Sequence, residues 1–166
     1  MTQVGKFIEP VILQIKAILS DATTGINSKC DIIDTEYSLD FILDDIKTYA
    51  VGERYVFDAG ELPALVIWPE SDSGGEYTNE TLFIESRLTI WIVCMDDDQE
   101  RLNKRLWRYQ DAIIRTIKAT DNLNFQVDIC IFAGLRFDSP WVGMEQNVYV
   151  DAAGVMFNIN HEEKVT

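Results

Sequence analysis

The apolar residues of this chain change period from one stretch to the next. Between Glu80 and Phe137 the changes mark out a strand, a long helix and a second strand. From Thr81 the chain alternates. Leu82, Ile84, Leu88, Ile90, Ile92 and Cys94 share one parity; Phe83, Glu85, Arg87, Thr89, Trp91, Val93 and Met95 share the other. Successive side chains of a strand point to opposite faces, so the pattern predicts a long strand with one core face. The other face is mixed and turns apolar toward its end. That fits a sheet with helices on one side, its other side exposed or meeting another subunit. Next, Leu102, Leu106, Tyr109, Ile113 and Ile117 recur at helical spacing and predict an amphipathic helix. Asp96, Asp97 and Asp98 precede it, where they cap the helix and complement its N-terminal dipole. After Thr120-Asp121-Asn122, a strand is expected to carry Phe125, Val127, Ile129, Ile131 and Ala133 at period two.

The flanking regions are read the same way. Val4, Phe7, Ile8, Val11, Ile12, Ile15, Ile18 and Leu19 form one helical face. Pro10 lies inside it, so the regular helix is expected to begin near Glu9. Lys29–Asp34 is a short strand candidate. From Ser38, Leu39, Ile42, Leu43, Ile46, Tyr49 and Ala50 predict another helix ended by Gly52, with Asp40, Asp44 and Asp45 on its polar side. Arg54–Phe57 suggests a brief strand. Leu62–Pro69 suggests a short or edge strand, because its prolines lack the donor that a central ladder needs. Glu70–Asn79, with Gly74-Gly75, reads as a loop or wide hairpin tip. A last strand runs from about Glu145 to Asn160, with a bulge or kink expected at Ala152-Ala153-Gly154. Residues 161–166 are expected to form a loose tail after a single domain spanning 1–160.

Charge narrows the possible partners. The chain has 166 residues, 28 acidic against 14 basic, and a formal charge of −14. Such a surface repels phosphate and argues against nonspecific nucleic-acid binding or an anionic membrane surface. No secretory leader or membrane-length apolar run is visible, so no membrane partner is expected. Arg101, Lys104, Arg105, Arg108, Arg115 and Lys118 place six of the fourteen positive charges on the long helix. That basic face is either solvated with local pairs, such as Asp111 with Arg115, or a contact for an acidic neighbour.

Candidate chemistry is sparse. His161 is the one histidine, near the chain end, and offers a poor general base. Cys30, Cys94 and Cys130 are widely separated in apolar contexts and read as buried reduced thiols. The diglycine is followed by no Lys-Ser/Thr and no helix, unlike a phosphate loop. Three adjacent Asp lack the spacing of a calcium loop. No cofactor or metal is expected, and no carboxylate pair stands out as catalytic.

The order of elements resembles the tail terminator, or tail-completion, proteins of long-tailed bacteriophages. The resemblance is carried by the amphipathic Val4–Leu19, by LPALVIWPES, by SRLTIWIVC, by DDDQERLNKRLWRYQDAIIRTI, and by GLRFDSPW followed by QNVYVDAAGVMFNIN. Ser38–Phe57 and the residues beyond Asn160 depart from the family pattern. The resemblance implies an α+β protomer, with two to three helices on one face of a mostly antiparallel sheet. It implies a structural virion protein rather than an enzyme, assembled in the host cytoplasm into a ring, commonly a hexamer. Such a ring sits at the head-proximal end of the tail and ends tube polymerisation. Its expected partners are further copies, the tail tube protein, the head–tail connector or neck protein and the sheath terminus, with genomic DNA passing unbound.

Two sets of residues follow as expectations. Arg101, Lys104, Arg105, Arg108, Arg115 and Trp91 are candidates for the contact between copies, and charge reversal at Arg101, Arg105 and Arg108 would weaken it. Asp96, Asp97, Asp98, Glu70, Asp72 and Glu76 are candidates for an acidic lumen or interface. Other readings are another neck or adaptor ring, an acidic DNA-mimic module that captures a basic protein, and a small hydrolase using an unassigned carboxylate pair.

Overall fold

A computed structural model describes residues 5–37, 41–77, 81–120, 122–125, 127, 129–141, 143–145 and 147–164; side chains at 5–7, 71–77, 81–84, 124–125, 143–145 and 161–164 are outside the description. The elements are α1 (Gly5–Ser20), α2 (Ile26–Tyr37), β1 (Thr48–Val51), β2 (Ala64–Tyr77), β3 (Thr81–Asp96), α3 (Gln99–Lys118), α4 (Asn122–Phe125), β4 (Ile129–Arg136), β5 (Gly143–Glu145) and β6 (Val148–Lys164). They form an α+β domain around one mixed sheet in the order β1-β2-β3-β6-β4, with β5 also paired to β6. Among the described strands β1–β2 is the parallel pair, and the other pairings are antiparallel.

The central strand–helix–strand unit follows the apolar pattern closely. Leu88, Ile90, Ile92 and Cys94 of β3 are buried with Leu102, Leu106, Tyr109, Ile113 and Ile117 of α3. Val11, Ile12, Ile15, Ile18 and Leu19 of α1 close the same core. Burial of this face in an α/β contact is the main stabilising term, at roughly 25 cal/mol per Å² of apolar surface removed from water. Pro10 lies inside α1, which begins at Gly5 rather than near Glu9. The one backbone bond that proline forfeits is outweighed by the continuous buried stripe after it.

Several local expectations are corrected. Lys29–Asp34 is not a strand but part of α2, whose buried Ile26, Cys30 and Ile33 fall at helical spacing. The helix expected from Ser38 is absent over residues 41–47; residues 38–40 lie outside the description, and Thr48–Val51 is β1. The 41–47 segment is instead an extended strap over the helices. Leu43 and Ile46 are buried, and their N–H groups donate to the side chains of Asp34 and Asn27. The Lys47 N–H donates to the Pro63 carbonyl, and the Tyr109 hydroxyl to the Asp44 carbonyl. Backbone groups satisfied by tertiary partners do not need a helix. Arg54–Phe57 forms no strand. Phe125 ends α4, and the following strand begins only at Ile129.

The hairpin β2–β3 is longer than expected. β2 continues through Glu70 and the diglycine to Tyr77, with register shifts between Pro69 and Ser71 and between Gly74 and Tyr77. β1 covers the outer side of β2 only from Ala64 to Ile67. Pro69 therefore falls where β2 has become an edge, consistent with its missing donor. Residues 161–164 are not a loose tail: they continue β6 and pair with the start of β3.

The expected bulge near Gly154 is also absent. β6 pairs with β3 in unbroken register, and the irregularity lies in β4 between Phe132 and Gly134. Both parities of β6 are apolar because the sheet has a second, smaller core on its other face. There Leu62, Ala64, Val66, Trp91, Val93, Trp141 and Ala152 are buried together, beneath the chain's own segments around residues 52–63 and 139–141. Gly154 makes room for it: an added Cβ would stand 2.7 Å from the Thr89 Cγ2 and 3.1 Å from the Trp91 ring. Gly154→Ala is expected to cost about 1–3 kcal/mol by overpacking, read as a lower midpoint in urea denaturation. An unchanged midpoint would refute this account of Gly154.

Candidate functional site

The acidic turn and the basic helix meet in one constellation at the start of α3. Asp98 is the N-cap, its carboxylate accepting from the Arg101 N–H at 2.9 Å. Asp96, the last residue of β3, turns inward. Its side chain is only 3% exposed and accepts from the Arg101 Nε at 2.8 Å and the Arg105 Nε at 2.8 Å. The Asp98 N–H also donates to it. Burial alone would push the Asp96 carboxyl up, but the Arg101 and backbone bonds outweigh it and hold the group well below the usual carboxylate range. Arg101 also reaches the exposed Asp97, and Arg105 reaches Asp44.

Lys104, Arg108 and Arg115 are likewise engaged within the chain, while Lys118 at the end of α3 is exposed. Lys104 pairs with Glu100, and Arg115 with both Asp111 and Glu36. The Arg108 guanidinium lies over the rings of Phe41 and Tyr37. The basic face of α3 is thus the seam that holds α2, the 41–47 strap and the β3–α3 turn. Charge reversal at Arg101 or Arg105 would remove the partners of buried Asp96 before it could report on a contact between copies. Trp91 is 2% exposed and belongs to the second core, with the Arg136 guanidinium over its ring. Glu70 is paired with Arg136; Asp72 and Glu76 lie on β2, their side chains outside the description. The structure therefore unites Asp96, Asp97, Asp98, Arg101 and Arg105, and places Glu70 and Trp91 elsewhere, near Arg136.

Nothing in this constellation resembles an activated nucleophile. Burial pushes the Cys30 thiol up to about 12 and the Cys130 thiol up to about 11, and raises Cys94 as well. Such thiols are protonated at neutral pH and are not prepared for nucleophilic work. Among the described residues no group of three or more His, Cys, Asp or Glu is placed to hold a metal ion. Among the described residues no helix is long and apolar enough to cross a membrane.

A different surface was not singled out by the pattern of residues. Among the described residues β4 has one strand neighbour, β6, along its length. Ile129 and Ile131 are exposed on one face of the sheet, and Phe132 and Leu135 on the helix-covered face. Trp107 of α3 is 55% exposed, and Phe137 just beyond β4 is 61% exposed. Trp107, Gln110, Asp111, Ile114, Leu135 and Phe137 line a groove of about 380 Å³, with Asp111 paired to Arg115. Two signals in the sequence point there. Trp107 stands off the apolar stripe of α3, and ICIFAGL (129–135) is apolar at both parities and carries no charge. No family model matches the chain, and no curated protein is significantly similar to it.

Proposed function

We propose that this protein is a structural subunit of a ring, most simply a hexamer, at the head-proximal end of a long-tailed phage tail. In this role it ends polymerisation of the tail tube and joins the tail to the head connector or neck protein, with the sheath terminus as a further neighbour. The observation that carries the reading is how charge is distributed on an open-edged α+β protomer. Arg101, Lys104, Arg105 and Arg115 of α3 pair with carboxylates of the same chain, so the excess of 28 acidic over 14 basic residues is left for the outer surface and the lumen. Genomic DNA passing through such a ring meets a repelling wall rather than a binding site.

Native mass spectrometry and negative-stain electron microscopy of the purified chain test this directly. The expected result is a closed ring with a central hole, which also shortens or caps tubes when added to polymerising tail tube protein. A monomer that instead titrates a basic protein would replace this reading with that of an acidic capture module. A ring that leaves tube length unchanged would make it another neck or adaptor ring.

A further inference from the structure

We propose that copies of this chain join edge to edge, with β4 and the Trp107 groove of one copy receiving the β1 edge of the next. This inference rests on the ring reading and names the surfaces that build it. Edge strands of free-standing proteins are usually blunted by Lys, Pro or an inward charge, because their unpaired backbone groups template further pairing. β4 carries an inward charge only at its last residue, Arg136, and one bulge between Phe132 and Gly134; from Ile129 to Leu135 it holds no Lys, Pro or charge and exposes apolar residues to both faces. That is the composition of a strand inside a sheet, not at its end.

Charge identifies the occupant. A nucleic acid would need cations, and a basic protein would need carboxylates; Ile129–Leu135 offers neither. A second copy carries the same charge of −14, so two copies can approach only where that charge is absent. The uncharged edge meets this condition. The far end of the sheet supplies a matching surface, with Val51 of β1 exposed.

Topology makes the joint heterologous. β4 is antiparallel to β6, β6 to β3, and β3 to β2, while β1 is parallel to β2. β4 therefore runs antiparallel to β1. Copies related by rotation about a ring axis keep their strand sense, so β4 meets β1 in the antiparallel sense that prevails elsewhere in the sheet. Each copy uses its β4 and β1 edges, and closing the ring leaves both of them paired.

Two exposed substitutions and one crosslink test this. Ile131→Lys and Trp107→Glu, each checked for a wild-type circular dichroism spectrum and urea midpoint, are expected to lose the assembled species in native mass spectrometry. Ile131→Cys protein mixed with Val51→Cys protein is expected to give a mixed dimer with a bismaleimide, above the background of wild-type chain treated alike. Self-crosslinking of Ile131→Cys alone would overturn the heterologous joint. A wild-type ring that both exposed substitutions leave intact would overturn the edge assignment but not the ring. A monomeric wild-type chain would overturn the ring reading and this inference with it.

Discussion

Asp96→Asn is expected to lower stability by roughly 2–4 kcal/mol, a substantial part of the 5–15 kcal/mol typical of a whole domain. The carboxylate is buried at the junction of β3 and α3, and two guanidinium groups converge on it. An amide keeps the shape but cannot neutralise them. The estimate sits low in the range for breaking a buried pair because Arg101 keeps 39% of its side chain in water. Urea denaturation at neutral pH reads the loss. The same pair sets a pH signature. Asp96 ionises in the folded chain well below its ordinary range. Its contribution is therefore complete above the unfolded pKa and is lost as pH falls through the folded one. Wild-type and Asp96→Asn stabilities should differ most above about pH 5, and the difference should shrink progressively as pH falls below about 4, the unfolded value, toward the lower folded one. A constant difference across that range would show that Asp96 acts through packing and not through charge.

The long elements were legible in the sequence because one rule governed each. In β3 and α3 a single apolar face packs against a single neighbour, and period two or period 3.6 follows. The errors arose where tertiary partners replaced local ones. Residues 41–47 have helical spacing, yet Asp34, Asn27 and Pro63 satisfy their backbone from afar. α2 has only three buried residues, too sparse a stripe to outweigh the adjacent Ile32 and Ile33. The parity change in β6 reads as a bulge because a core on each face of the sheet leaves both parities apolar. A core built from irregular segments leaves no periodic trace outside the strand that it covers.

The candidate site shows the same division. That Asp98 caps α3 follows from its place before an apolar helical run. That Asp96 is buried does not, since three adjacent Asp look alike until the turn sends them in different directions. The cations of α3 stood out by number, and Asp111–Arg115 and Glu100–Lys104 fall at the i,i+4 spacing of a helix, but Glu36, Asp44 and buried Asp96 come from α2, the 41–47 strap and the end of β3, separations that no spacing rule reaches. Trp107 and ICIFAGL were visible as residues; their exposure depends on β4 being last in the sheet, which is a property of topology.

Trp141→Ala is expected to cost about 3–5 kcal/mol, the usual range for emptying a buried aromatic site. Trp141 is 5% exposed and joins the irregular segments to the open face of the sheet. Its ring meets Trp91 and Trp68 edge-on, at centroid distances of 5.6 and 5.8 Å. Its Nε1 donates to the Arg54 carbonyl at 3.0 Å, tying the 52–63 segment to the turn after β4. The Ser139 hydroxyl holds the same turn by accepting from the Trp141 N–H. Removing the indole leaves a cavity against Trp91 and an Arg54 carbonyl without its donor. The helix-covered core lies across the sheet and shares none of these contacts, so the loss should be felt locally first. Hydrogen exchange is expected to rise in residues 52–63 while the amides of α3 keep their protection. Trp141→Phe, which keeps an aromatic ring and loses the N–H, should cost nearer 1 kcal/mol. Equal losses for the two substitutions would assign the role of Trp141 to its hydrogen bond. Equal exchange gains in α3 and residues 52–63 would mean that the two cores unfold as one unit.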